Sequence, residues 1–307
     1  MDFIEFKEKL FSFLDKHLPN SRDNLKQIFI KCLYVLSVIA VLISGIITSN
    51  YFIGIKRENR ILEEYRSVYE EGYAKWMNEE NGDIKGWLSL EGVGINHPLL
   101  IGKDNTFYLN HNAKKEKSRS GSLVIDYRCD TENDRNIIIY GNDNSDGSMF
   151  GGLKKLRNVA FYRKNSVIKL DLSGNAKNYK IYAVFVLNSS KKDDNDYIYN
   201  ISRKEFYSDE DFNSWVSEAK ARSVVNTDVS VENGDSILTL VTSCDDFPNA
   251  RLVVMAKSIQ ENEYELYAGN NASANSQAVY PERWYTLRGI KKINFEEEYQ
   301  NVSEFEG

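Results

Sequence analysis

Apolar and polar positions fall into distinct patterns along this chain, and each pattern predicts a different kind of element. Residues 32–55 run for 24 positions without a charge. A membrane-spanning helix needs about 20 apolar residues, and few globular helices go so long uncharged. The stretch therefore predicts a transmembrane signal-anchor. A cleavable leader fits less well, because the run begins after 31 residues and no clear small-x-small site follows it. Before it, Phe3, Phe6, Leu10, Phe13 and Leu14 recur at helical spacing. That suits an interfacial amphipathic helix or a short helix docking on a partner. After it, Ile61, Tyr65, Val68, Tyr69, Tyr73 and Trp76 form one apolar stripe, which predicts a helix over residues 56–80.

From residue 81 the helical period gives way to short β-rich segments. Strands are predicted near residues 85–90, 93–100, 122–127, 135–140, 166–172, 178–187, 236–243 and 251–258, with turn chemistry between them. Eight short strands suggest a closed barrel or a sandwich. One helix interrupts them: DEDFNSWVSEAKARS opens with acids and sets Phe212, Trp215 and Ala219 on one face. Residues 268–279 are small and polar and read as a linker or loop. Residues 280–300 are aromatic enough to dock but show no clear period.

Charge changes this picture in two places. The net charge is −6, which argues against a nucleic-acid binder. From residue 260 onward nine Glu face four basic residues, so that tail carries −5 of the total. Residues 1–31 hold six basic and five acidic residues, so positive-inside counting barely sets an orientation. A short head before the span and a long domain after it suit a cytoplasmic N-terminus and an extracellular C-terminal domain. Three scattered cysteines make neither a disulfide framework nor a zinc site, and no calcium loop is present, so neither metal nor cofactor is expected.

Cys244 ends an alternating strand, LTLVTSC, and opens into the polar turn DDFPN. Arg251 starts the next strand, RLVVMAKS. Two antiparallel strands joined here bring the two residues to one rim, where an arginine can lower a thiol pKa and hold an oxyanion. A packed cysteine beside a surface arginine fits the same residues.

Several ordered segments resemble class B sortases, the membrane-anchored cysteine transpeptidases of Gram-positive bacteria. They are GDIKGWLSLEGVGINHPLLIGKDNTFYLNHNA, SGSLVIDYR, IIIYGNDNSDGSMFGGL, ILTLVTSC and RLVVMAK. The resemblance implies a mainly β fold: an eight-stranded sortase-type barrel with an N-terminal helix and one inserted helix, behind a single transmembrane helix. The resemblance covers about residues 56–259; with the charge and hydropathy patterns it divides the chain into a cytoplasmic head (1–31), an anchor (32–55), a juxtamembrane helix (56–82), a barrel (83–259) and, outside the resemblance, an acidic tail (260–307) whose aromatic and acidic residues make it a candidate lid. Leu240-Val241-Thr242-Ser243-Cys244 is set against the family's TLxTC motif, which makes Cys244 the nucleophile and Arg251 the oxyanion partner. Asn142 follows Tyr140-Gly141 where the family has its catalytic histidine. Asparagine cannot shuttle a proton at neutral pH, a service worth roughly 10²–10⁴-fold in rate. His97, His111, Asp143 and Asp146 are the substitutes at hand, each also readable as an ordinary surface or half-buried residue.

The implied partners are an exported protein with an NPxT-type C-terminal sorting signal, a peptidoglycan precursor amine and the membrane. Thr242, Ser243 and Asp245 are expected to line the substrate groove, with Asn110, Tyr197 and Ile198 as further candidates. The alternative is a degenerate sortase-fold protein that binds sorting signals or wall precursors without turnover. A membrane-anchored scaffold is a third reading, disfavoured by the paired Cys244 and Arg251.

Overall fold

A computed structural model describes residues 3–70, 81–194, 197–260 and 271–290. It forms two compact units, residues 1–61 and 62–307. In the first, helix α1 covers Phe3–His17, and helix α2 begins at Leu25 and runs 46 residues to Glu70. Asn24 and Gln27 start α2 by exchanging backbone-to-side-chain hydrogen bonds, each 2.9 Å, which satisfies two N-terminal donors. One window of α2 is long and apolar enough to cross a bilayer, so the helix is a candidate membrane anchor. The helix does not break where charges resume at Lys56. Tyr73 and Trp76 of the expected stripe lie outside the described residues.

The second unit is built on a closed eight-stranded barrel. Its strands are β1 (Ile84–Leu90), β2 (Ile95–Leu100), β3 (Leu123–Ile125), β4 (Asn136–Tyr140), β5 (Val167–Leu172), β6 (Asn175–Asn188), β8 (Ile237–Ser243) and β9 (Ala250–Ile259), joined in the order β1-β2-β3-β4-β8-β9-β6-β5. Each falls where alternation predicts a strand. Antiparallel pairing of β1 with β5 closes the ring. Two neighbour pairs are parallel, β2 with β3 and β4 with β8.

Side-chain alternation sorts the strands into an inner and an outer face. On β9, Leu252, Val254 and Ala256 join the main core, while Val253 and Met255 join a separate outer cluster. Helix α4 (Asp209–Arg222) covers that outer cluster with Phe212, Trp215, Val216 and Ala219. Ser208 caps it by accepting from Asp211 N at 3.2 Å, and acids in its first turn and bases in its last suit the helix dipole. A shorter helix, α3 (Val159–Lys164), precedes β5.

Residues 271–290 are more ordered than a linker. β10 (Ser273–Ala274) pairs with β7 (Val225–Asn226), and helix α5 spans Glu282–Arg288. Ala272 is fully buried, and its carbonyl accepts two bonds from the Arg163 guanidinium, at 2.9 and 2.6 Å. The strongly acidic parts of the tail, 261–270 and 291–307, lie outside the described residues.

Candidate active site

Parallel β4 and β8 end at the same rim of the barrel, and antiparallel β9 begins there. Tyr140 stands opposite Val241, and Gly141 N still bonds Val241 O at 3.2 Å. That course carries Asn142 and Ser243 to one end of the sheet. Gly141 is required in this place: a Cβ would come within 2.7 Å of the Phe150 ring and 2.6 Å of Leu123. The turn from β8 to β9 is short. Asn249 accepts its left-handed φ of 68°, Ala250 N bonds Phe247 O, and Cys244 N bonds Ala250 O at 3.3 Å.

Register decides which side chains meet. Ser243 pairs directly with Arg251, so both point to the same face. Arg251 is two and four residues from Val253 and Met255, which places it on the outer face. Ser243 is exposed and Arg251 half-buried; the guanidinium bonds Ala250 O at 2.9 Å. Among the described residues no ion pair engages Arg251.

Cys244 points the other way, where an exposed thiol is expected from the polar turn. It is half-buried against the barrel core and against the small cluster of Val186, Phe247 and Ala250. Burial pushes its thiol up to about 12 and the Asp246 carboxylate adds to this, while the Asp246 backbone N–H and Arg157 pull against it. Arg157 and Asp246 form a bidentate pair at 2.8 and 3.0 Å. A thiol of that pKa is ionised in roughly one molecule in 10⁵ at pH 7. In the described part of the tail, Tyr280 and Trp284 stack at 4.0 Å and pack on that same small cluster.

The other candidates divide. Asn142 donates both amide hydrogens to backbone carbonyls, to Leu109 at 2.7 Å and Ser120 at 3.1 Å. Asn110, next to Leu109, is exposed beside that loop. Asp245 is exposed and close enough to Asp143 to raise it, although desolvation is the larger cause there. Thr242 is buried, and its hydroxyl has no hydrogen-bond partner among the described residues. Tyr197 and Ile198 lie beside α4: the Tyr197 hydroxyl donates to Glu218, and Ile198 packs on the outer cluster. Asp146 accepts from Ser148 N, and His111 is held by Phe107, its ring stacked at 4.0 Å with Nδ1 2.8 Å from the Phe107 carbonyl. Cys129 is buried near the start of β4, the opposite end of that strand from Asn142, and both it and Cys244 are free thiols.

The Arg157–Asp246 pair could not be foreseen, because 89 residues separate its members. Ser243 had a readable signal: Thr239-Leu240-Val241-Thr242-Ser243 spells TLxT with no swap and ends in serine.

His97 carries its own consequence. It is buried, neither ring nitrogen has a hydrogen-bond partner among the described residues, and burial, aided by the Arg66 charge, pulls its pKa down to about 4. An unfolded imidazole titrates near 6.5. The neutral ring therefore leaves stability whole above about pH 6.5 and costs it progressively as pH falls toward 4, on the order of 3 kcal/mol in all. Urea unfolding between pH 7.5 and 4 should show this loss, and His97→Phe should flatten it. An equal acid slope in both chains would rule His97 out as its source.

Known proteins resemble both the sequence and the barrel. The sortase-domain family model matches residues 91–259. Sortase B of Staphylococcus aureus is 31% identical over 245 residues, 76% of this chain and 97% of that protein. Sortase B of Listeria monocytogenes is 32% identical over 220 residues, 66% of this chain and 86% of that one. Among solved structures, a cysteine-to-serine mutant form of Clostridium perfringens sortase B superposes with a TM-score of 0.60 at 31% identity, over 66% of this chain and 99% of that one. A Staphylococcus aureus sortase B–substrate complex gives 0.60 at 30%, over 68% and 99%. These relatives imply a cysteine transpeptidase, and sortase-type transpeptidation is the function class the likeness supports. The barrel, its ordered motifs and these matches agree: the chain belongs to the sortase family, on its class B branch.

Proposed function

We propose that this chain is a membrane-anchored sortase whose ligand is the C-terminal sorting signal of an exported protein, of the NPxT type that class B members favour. Its barrel stands outside the membrane, with the N-terminal head cytoplasmic, and the signal lies on the outer barrel face beside Arg251. A peptidoglycan precursor amine is the acceptor in the family's transfer reaction. In this chain the signal is held with little or no turnover.

The observation that carries the reading is the outer-face guanidinium of Arg251 beside the exposed hydroxyl of Ser243. Charge-assisted donors of this kind suit a peptide carbonyl. Two further features weigh against fast turnover: the Cys244 thiol is buried and raised to about 12, and Asn142 supplies no titrating group.

A second reading makes Cys244 a working nucleophile, favoured by its place one residue beyond Arg251's partner. Its thiolate would attack the Thr carbonyl, Arg251 would hold the oxyanion, the following amide C–N bond would break with the C-terminal fragment leaving as the amine, and the acceptor amine would then displace the thiolate from the thioacyl intermediate. A panel of NPxT-type peptides separates the two. We expect saturable binding to the full chain in detergent micelles and no mass adduct on Cys244. A thioacyl adduct and turnover that vanish in Cys244→Ala would establish the second reading instead. No binding across the panel would remove both.

A further inference from the structure

We propose that Ser243 is the β8 side chain that meets the carbonyl of a bound sorting signal beside Arg251, and that Cys244 takes no part in holding it. This rests on the signal-binding reading above.

The register carries the inference. Ser243 and Arg251 are direct cross-strand partners on the outer face, and such pairs have Cβ atoms about 4.5–5.5 Å apart. A short hydroxyl and a long guanidinium at that spacing can donate to one carbonyl oxygen lying between them. Cys244 is one position further along, where the backbone has turned its side chain into the core, against the Val186, Phe247 and Ala250 cluster. To reach a ligand beside Arg251 the thiol would have to leave that packing.

The third member follows from the β4–β8 pairing. Asn142 arrives at the same rim with both amide hydrogens committed to Leu109 and Ser120, so only its carbonyl oxygen is left to accept. The rim thus presents a hydroxyl, a guanidinium and an amide oxygen. This set hydrogen-bonds a peptide, and it contains no group that ionises near neutral pH to take a proton from a serine.

The test uses the full chain in detergent micelles. A Ser243→Cys substitution made together with Cys244→Ala should give a thiol that methyl methanethiosulfonate modifies at least ten times faster than native Cys244. With an NPxT-type peptide that variant should form a thioacyl adduct. The sulfur bonds the Thr carbonyl carbon, the following amide C–N bond breaks, and the thiol proton leaves on the departing amine. Adding Asn142→His should increase the yield. Ser243→Ala should weaken peptide binding about five- to tenfold, the loss of one hydrogen bond, while Cys244→Ala leaves it unchanged. The proposal is overturned if the position-243 thiol reacts no faster than Cys244, or if Cys244→Ala loses binding and Ser243→Ala does not. If the unmodified chain binds none of the peptides, the signal reading falls and takes this proposal with it. Normal binding that ignores Ser243→Ala sinks this proposal alone.

Discussion

The full chain carrying Trp215→Ala should unfold roughly 10 °C below the unmodified protein. Trp215 is 4% exposed on α4, stacked on Tyr199 with ring centroids 5.9 Å apart and lying against Phe206 at 5.2 Å. Its indole N–H donates to Asn200 O at 2.8 Å, and its own carbonyl accepts from the Tyr199 hydroxyl. Truncating a buried tryptophan to alanine costs about 3–5 kcal/mol, and in a unit of this size each kcal/mol lowers the midpoint by about 2–4 °C. The effect reaches the site, because α4 covers Val253 and Met255 on β9, the strand that carries Arg251. Thermal unfolding in micelles is the measurement, with Trp215→Phe expected to lose less. An unchanged midpoint would mean that α4 does not hold the outer cluster together.

The second large effect concerns ligand binding. Arg251→Met should lower affinity for an NPxT-type peptide about 30- to 100-fold, corresponding to about 2–3 kcal/mol for a charge-assisted hydrogen bond left unmade. The midpoint should barely move, since Arg251 is half-buried and its bond is to the adjacent Ala250 carbonyl. Arg251→Lys should recover only part of the affinity, because an ammonium lacks the planar fork that can reach a carbonyl and a neighbouring hydroxyl together. Titration of labelled peptide against each variant reads this directly. Equal affinity in Arg251→Met would take Arg251 out of the ligand site.

The barrel was legible because alternation and turn residues mark each strand. The inserted helix was legible because Phe212, Trp215 and Ala219 fall on one face between an acidic start and a basic end. The facing of β8 was not. Residues 237–242 are buried on both faces, so no polar alternation declares which side chains point inward. A one-residue slip in such a strand exchanges the two faces. That slip separates Cys244, directed to the core, from Ser243, directed to Arg251. Contacts between distant segments left no local trace either: Arg157 reaches Asp246, and Tyr197 reaches Glu218 on α4. Residues 271–290 dock through single anchors such as Ala272 and Tyr285, which leave no period to read.

The parallel pairing of β4 with β8 also bears on the order of folding. Ser243 and Arg251 belong to one tight hairpin and can meet as soon as that hairpin forms, on a microsecond scale. Asn142 joins them only when β4 pairs with β8, as in Ile138 with Thr239, partners 101 residues apart in the chain (239 − 138). Loop-closure entropy makes contacts of that separation late and slow. A chain folding from the unfolded state therefore owns half of its proposed ligand rim early and the other half only on barrel closure, so binding competence reports that the whole barrel is complete.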